Sequence, residues 1–217
     1  MIPELNKNKI ILDLCGGTGA WSKPYKDAGY KVYNITLPQF DILKTRFINS
    51  KSEGLEFNGE SEFSFVNYKS IYGILAAPPC TMFSLARTRA KTPRNLAEGM
   101  DIVEICMQII WRTREHTKLS FWALENPMGY LRQFLGKPSF TFDPCDFGEH
   151  YTKKTDLWGY YNGPKKKFYK LSANEKMRCR INTRKLPSIS DFTGSKQSVR
   201  RAITPAGFAK AFFKANQ

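Results

Sequence analysis

The 217-residue sequence lacks any apolar run approaching the roughly 18 residues of a membrane-spanning helix, so no span is expected. Its opening residues, MIPELNKNK, hold no apolar stretch of the kind a secretory signal carries. Histidine is scarce, with two residues, and the five cysteines (Cys15, Cys80, Cys106, Cys145 and Cys179) include no CxxC pair. An odd, widely spaced set argues against a disulfide framework and against a zinc site, so no metal is expected. A reducing, cytoplasmic setting is the corresponding expectation, with at least one thiol free to work. Acidic residues are also short: 19 Asp and Glu against 34 Lys and Arg leave a net charge of +15. Such an excess points to a polyanionic partner, most simply nucleic acid. Apolar residues (41%) and aromatics (14%) are plentiful, enough for a core and against wholesale disorder.

Strand and helix signals alternate along the first three quarters of the chain. Lys9 to Leu14 (KIILDL) reads as a buried strand, Ala20 to Ala28 as a helix, and Tyr30 to Leu37 as a second strand. Asn49 to Glu62 is polar and glycine-containing, a loop insertion or hairpin. Tyr72 to Ala77 is a third strand, stopped by Pro78-Pro79. A basic loop, Thr81 to Arg94, leads into a long helix over Leu96 to His116, with apolar residues at Met100, Val103, Met107, Ile110 and Trp111. Phe121 to Leu124 is a further strand. The order predicts an α/β fold with a doubly wound, mostly parallel sheet. From Tyr160 to Arg201 there are 12 Lys and Arg against Glu175 and Asp191, which suggests a small basic lobe or arm. Pro205 to Ala215 reads as a closing amphipathic helix.

Four constellations sit at strand ends. Asp13-Leu14-Cys15-Gly16-Gly17-Thr18-Gly19 is a glycine-rich turn where the backbone can approach a ligand and Asp13 can hold its polar groups. It is neither GxGxxG nor a P-loop, and it suits S-adenosylmethionine better; an ordinary strand-to-helix turn is the plainer reading. Pro78-Pro79-Cys80 places a thiol at the end of a buried strand. Arg87, Arg89, Lys91 and Arg94 follow, cations that favour a thiolate and attract phosphates. Glu125-Asn126-Pro127 puts a carboxyl at another strand end; Asn126 and Pro127 alone would also suit a helix start. Tyr151 to Gly159 is a basic strand near the site, or a solvated edge.

The order and spacing of these blocks resemble the DNA (cytosine-5)-methyltransferases, in particular short phage-type members with Glu-Asn-Pro. The likeness covers about residues 9 to 160 and the last helix. Pro79-Cys80 with Phe83-Ser84 matches the family's Pro-Cys block, and Glu125-Asn126 its Glu-Asn. The sequence departs where an aromatic residue often follows Asp-Leu (here Cys15) and where an acidic residue often ends the second strand (here Ile35-Thr36-Leu37). The Gln-x-Arg-x-Arg block is reduced to Tyr151-Thr152-Lys153-Lys154-Thr155, and the final block keeps Thr204-Pro205 without Gly-Asn.

The resemblance implies an S-adenosylmethionine-dependent methyltransferase (Rossmann-like) domain over 1–160, a small DNA-contacting lobe over 161–198, and a returning helix over 199–217. It implies S-adenosylmethionine as cofactor, held by Asp13, Leu14, Cys15, Gly16, Gly17, Thr18, Gly19 and Pro78, with Trp21 stacking on adenine and Asp41 meeting its amine. Cys80 would be the nucleophile on cytosine carbon 6, Glu125 would contact ring N3, and Lys153 or Lys154 would hold the base or its phosphate. The partner would be cytosine-containing, duplex DNA, gripped by Arg87, Arg89, Lys91, Arg94, Lys165, Lys166, Lys167, Arg178, Arg180 and Arg184. An enzyme of the same scaffold that modifies RNA or transfers another alkyl group, and a non-catalytic DNA-binding relative, are the alternatives.

Overall fold

A computed structural model describes residues 6–49, 52–85, 87, 90–170, 186, 188–189 and 202–217. The expected basic lobe thus lies largely outside the described residues, as do Arg89, Arg178, Arg180 and Arg184.

The chain is α/β. Six strands form one mixed sheet: β1 (Ile10–Leu14), β2 (Lys31–Ile35), β6 (Ile71–Ala76), β7 (Phe121–Pro127), β8 (Phe140–Phe142) and β9 (Thr155–Tyr160). Their order is β2-β1-β6-β7-β9-β8. The first four in that order are parallel, and β9 runs antiparallel to both of its neighbours. Between β2 and β6 in the chain, β3 (Arg46–Ile48), β4 (Gly54–Asn58) and β5 (Phe63–Asn67) form a separate antiparallel sheet. The stretch expected as a loop insertion or hairpin, Asn49 to Glu62, holds β4 and the turn that joins it to antiparallel β5, so the hairpin is what forms. Leu55, Phe57 and Val66 alternate inward, and their burial stabilises it.

Alternation along the parallel strands divides the core. Leu12 and Leu14 of β1 face helix α2 (Leu96–His116), meeting Val103, Cys106, Ile109 and Ile110. Ile11 faces the other way, toward Trp21 and the short helix α1 (Lys23–Asp27). On that face it also meets Phe208 and Phe212 of the last helix, α4 (Ala206–Ala215); between β7 and β8 lies one further turn of helix, α3 (Arg132–Leu135). The long helix keeps the bounds its periodicity predicts because Asn95 caps it, its side chain accepting from the Glu98 amide at 3.2 Å. Helix α1 is shorter than expected: Pro24 sits in its first turn, and Ser22 spends its hydroxyl on Asp13 instead of capping. Strand β9 is no solvated edge. Thr155 to Trp158 are buried between β7 and β8, and of the two lysines just before the strand only Lys154 is exposed. Among the described residues no helix is long and apolar enough to cross a membrane.

Helix α4 is held at its end by a polar clasp. Buried Asn216 accepts from the Asn162 amide (2.8 Å) and donates to the carbonyls of Asn162 (3.0 Å) and Phe212 (2.9 Å). Replacing it strands buried backbone groups, so Asn216→Ala should cost about 2 kcal/mol of unfolding free energy in urea titration. A loss under about 0.5 kcal/mol, typical of an uninvolved surface change, would show that the clasp does not hold the helix.

Candidate functional site

The chain leaves β1 for β2 on one side and returns in β6 on the other. The crevice beyond the carboxyl ends of β1 and β6 is the topological switch point, where open α/β sheets bind ligands. The glycine turn, Pro78-Pro79-Cys80 and Glu125 all stand along this edge, on three adjacent strands.

The glycine turn is braced from within. Cys15 has a positive φ of 57° and donates its amide to the Ile35 carbonyl at 2.8 Å. Gly17 also needs its positive φ (55°), and no atom would crowd a Cβ there, so its backbone is open to the crevice. Gly16 is required for a different reason: a Cβ would lie 2.3 Å from the Asp13 carboxyl carbon. Asp13 is fully buried beneath the turn and accepts from Ser22 Oγ at 2.5 Å, while its other oxygen has no partner among the described residues. It holds the loop's shape and does not face the crevice. Burial raises its pKa to about 6 against the ordinary 3.8. Asn34, a residue that the sequence did not single out, ties the turn to β2 through Nδ2 and the Gly17 carbonyl (2.9 Å). Leu14 is buried, and its carbonyl accepts the Ala77 amide at 2.9 Å, joining the ends of β1 and β6.

Of two further expected cofactor contacts, Trp21 is enclosed by α4, while Asp41 begins a single turn of helix with its side chain part-exposed. Trp21 is 1% exposed and packs on Phe208 (5.8 Å) and Phe212 (5.4 Å), so it has no open face for stacking. The Asp41 carboxylate caps its own turn, accepting from the Leu43 amide at 3.1 Å, with Lys44 3.9 Å away. Beside the turn lies a cavity of about 420 Å3. Ala20, Lys23, Glu149, Tyr151, Thr204 and Pro205 are among the residues that line it. Glu149 also accepts the Gly207 amide at 3.1 Å, which fixes the first turn of α4 at the cavity wall.

The Pro-Cys and Glu-Asn blocks are joined. Asn126 is buried in β7 and donates Nδ2 to the Pro78 carbonyl at 2.9 Å. No helix starts there: β7 continues through Pro127, so the helix-cap reading of Asn126 and Pro127 fails. Glu125 lies 3.9 Å from Lys153 Nζ, and both side chains are largely buried, at 13% and 12% exposure. Lys153 is fixed through its backbone, its carbonyl accepting from Thr155 Oγ1 (2.8 Å) and its amide meeting the Asp143 carboxyl. Lys154 is exposed, and its carbonyl accepts the Met128 amide (2.9 Å).

Burial raises the pKa of the Cys80 thiol; Lys153 opposes this and Glu125 reinforces it. Burial likewise raises Glu125, against Lys153 and with a contribution from Asp156. Asp156 is itself buried and neutralised by Arg132, whose Nε and Nη2 each lie 2.6 Å from its oxygens. A thiol, a carboxyl that holds its proton more tightly than usual and a fixed ammonium therefore share one crevice. Among the described residues no group of His, Cys, Asp and Glu is placed to hold a metal ion.

The cations expected to meet DNA fall into two groups. Arg87 is turned onto Thr92 (2.9 and 2.7 Å), Arg94 onto the carbonyls of Met82 and Ser84, and Lys166 onto Asp146 (2.8 Å). Lys91, Lys165 and Lys167 are exposed.

Asp13 gives a test of the buried turn. Its raised pKa means that the folded state binds the proton more tightly than the unfolded one, so stability falls as pH rises from 3.8 to about 6 and is level above. Asp13→Asn removes this loss. Its stability relative to the parent should rise across that window by up to about 3 kcal/mol, followed by denaturant titration at each pH. A difference independent of pH would place Asp13 in water.

No protein-family model and no curated sequence matches the chain, so the residues of this crevice carry the functional reading.

Proposed function

We propose that the protein is a DNA (cytosine-5)-methyltransferase that uses S-adenosylmethionine and a covalent Cys80 adduct. The observation that carries this reading is the convergence of Cys80, Glu125 and Lys153 at adjacent strand ends beside a glycine turn. The sheet, with antiparallel β9 inserted between β7 and β8, supports a Rossmann-like methyltransferase domain. The open backbone at Gly17 and the adjoining cavity suit an extended cofactor, which supplies an electrophilic methyl group when bound. Cys15 to Gly19 would hold it, and Asp13, Ser22 and Asn34 would keep that turn in shape.

Carbon 5 of cytosine is too weak a nucleophile to take a methyl group unaided. Addition of the Cys80 thiolate to carbon 6 pushes the ring's electron pair toward carbon 5 and N3. Glu125, with its raised pKa, is suited to give N3 a proton or a charge-assisted hydrogen bond. Lys153 offsets the burial that disfavours the thiolate and steadies Glu125 once it has given up its proton. Carbon 5 of the adduct would then take the methyl group, the cofactor being left as a neutral thioether, and would give up its proton to a solvent base as the ring double bond re-forms. Cys80 leaves as thiolate, and the N3 proton returns to Glu125. Because a stacked base cannot reach a crevice of this kind, the cytosine must be flipped out of the duplex. The charge of +15 supplies the affinity for its phosphates, and the action would be cytoplasmic.

Methyl transfer to DNA, located by bisulfite sequencing, tests the reading. Cys80→Ala should transfer nothing while binding cofactor as the parent does. Glu125→Gln should turn over about a hundredfold or more slowly, the scale of a lost acid–base group. A near-normal rate with either change would reject the assigned role.

Two of the exposed lysines give a separate expectation. Replacing Lys165 and Lys167 by alanine should weaken matched and scrambled duplexes alike and reduce the log–log salt slope by about 0.9 for each phosphate that is no longer neutralised. Lys166→Ala should do less, since its ammonium is already paired with Asp146. Binding isotherms across a salt series would show a changed sequence preference instead if these lysines read bases.

A further inference from the structure

We infer that Arg94 is a positioning residue that fixes the turn carrying Cys80, and not a phosphate contact. The inference rests on Cys80 being the nucleophile proposed above.

The turn folds back on its first residue: the amides of Phe83 (3.0 Å) and Ser84 (2.8 Å) both donate to the Cys80 carbonyl. Three later carbonyls of that turn are each occupied. Arg94 donates Nη1 to Met82 (2.8 Å) and Nη2 to Ser84 (2.7 Å), and the Tyr130 amide donates to the carbonyl between them, of Phe83 (2.9 Å). The guanidinium also lies over the Tyr130 ring, 4.8 Å from its centre. Tyr130 thus grips the turn from β7's extension while its ring supports the arginine that grips it from the other side. Ser84 and Gly129 add a bridge between the two segments, and Gly129 has no room for a side chain because a Cβ would lie 2.3 Å from the Phe83 carbonyl oxygen. Phe83 itself is fully buried.

A half-buried guanidinium with both terminal nitrogens on carbonyls and one face on a ring is held in an orientation set by the turn and is not free to follow a phosphate. The same bonds bring Arg94 back onto Ser84, next to the turn that begins at Cys80. This reverses the expectation that the whole basic loop, Arg94 included, serves the DNA. Lysine cannot substitute: it keeps the charge but not the planar fork or the stacking.

The full-length protein with Arg94→Lys separates the two roles, because a phosphate contact tolerates lysine and the clamp does not. Three readouts are needed: iodoacetamide alkylation of Cys80 against pH, followed by peptide mass spectrometry without DNA or cofactor; duplex affinity across a salt series; and turnover. The clamp predicts unchanged affinity and salt slope. It predicts that Cys80 alkylates faster, with its pH midpoint lower than in the parent as burial is relieved. It also predicts a kcat at least about tenfold lower with KM for DNA unchanged, the cost of a displaced reacting group. Tyr130→Leu, which removes the support and keeps the fork, should shift alkylation in the same direction by less, and it serves if Arg94→Lys does not fold. The inference is overturned if both variants leave Cys80 alkylation at the parental profile, or if Arg94→Gln lowers the salt slope by about one while Arg94→Lys restores it. If the parent transfers no methyl group yet the alkylation shift appears, the proposed reaction fails and the positioning of the thiol stands.

Discussion

The hydrogen bond from Asn126 Nδ2 to the Pro78 carbonyl, 2.9 Å long and buried, joins the two strand ends on which the candidate chemistry depends. Pro78 and Pro79 stiffen the chain leaving β6, but stiffness alone does not aim it. The buried amide sets where the segment points, two residues before Cys80. Because Asn126 follows Glu125 in β7, the same side chain that aims the thiol also stands next to the carboxyl it must work with. The Ala77 amide on the Leu14 carbonyl extends the connection to β1 and so to the glycine turn. Three segments far apart in the chain are thus held at one edge by backbone pairing and a single amide.

That edge carries opposed electrostatic demands. Burial of Cys80 and Glu125 pushes both toward their neutral forms, which would suit the proposed acid and hinder the proposed nucleophile. Lys153 moderates both, and it can do so because Thr155 and the Asp143 carboxyl hold its backbone while Glu125 meets its ammonium. Asp156, the nearest other carboxylate on β9, would add to the negative charge if it were unpaired. Its bidentate bond to Arg132 and the donation from Thr141 at 2.8 Å offset that. The expectation that lysines before β9 take the place of an arginine block is therefore given a specific form: one of the pair, Lys153, points into the crevice, and Lys154 is exposed.

Much of this was legible in the sequence, and the reasons for the rest are physical. Apolar runs gave β1, β6 and β7, and a capping Asn95 with helical periodicity gave α2 with its observed bounds. The placement of Cys80 and Glu125 at neighbouring strand ends was readable because a polar, reactive side chain beside an apolar strand is conspicuous. What local pattern could not give were facts decided by distant partners. Trp21 looks available beside the glycine turn until α4, nearly two hundred residues later, packs on it. Arg94 looks like a free cation until the carbonyls of Met82 and Ser84 and the ring of Tyr130 are placed around it. Asp13 has the residue type of a ligand contact, yet the absence of a Cβ at Gly16 lets its carboxyl sit beneath the turn. Strands β3 to β5 are short and alternate with polar residues, so their burial emerges only when they meet the α2 side of the core.

The central claim is that Cys80 forms a covalent bond to a cytosine ring during turnover, and the most direct measurement is trapping on duplex DNA containing 5-fluorocytosine. Fluorine at carbon 5 blocks the proton loss that would release the enzyme. The account predicts a stable protein–DNA adduct that forms only with S-adenosylmethionine present, with the added mass on the peptide containing Cys80. Turnover on ordinary DNA without any such adduct, or an adduct at another cysteine, would contradict it.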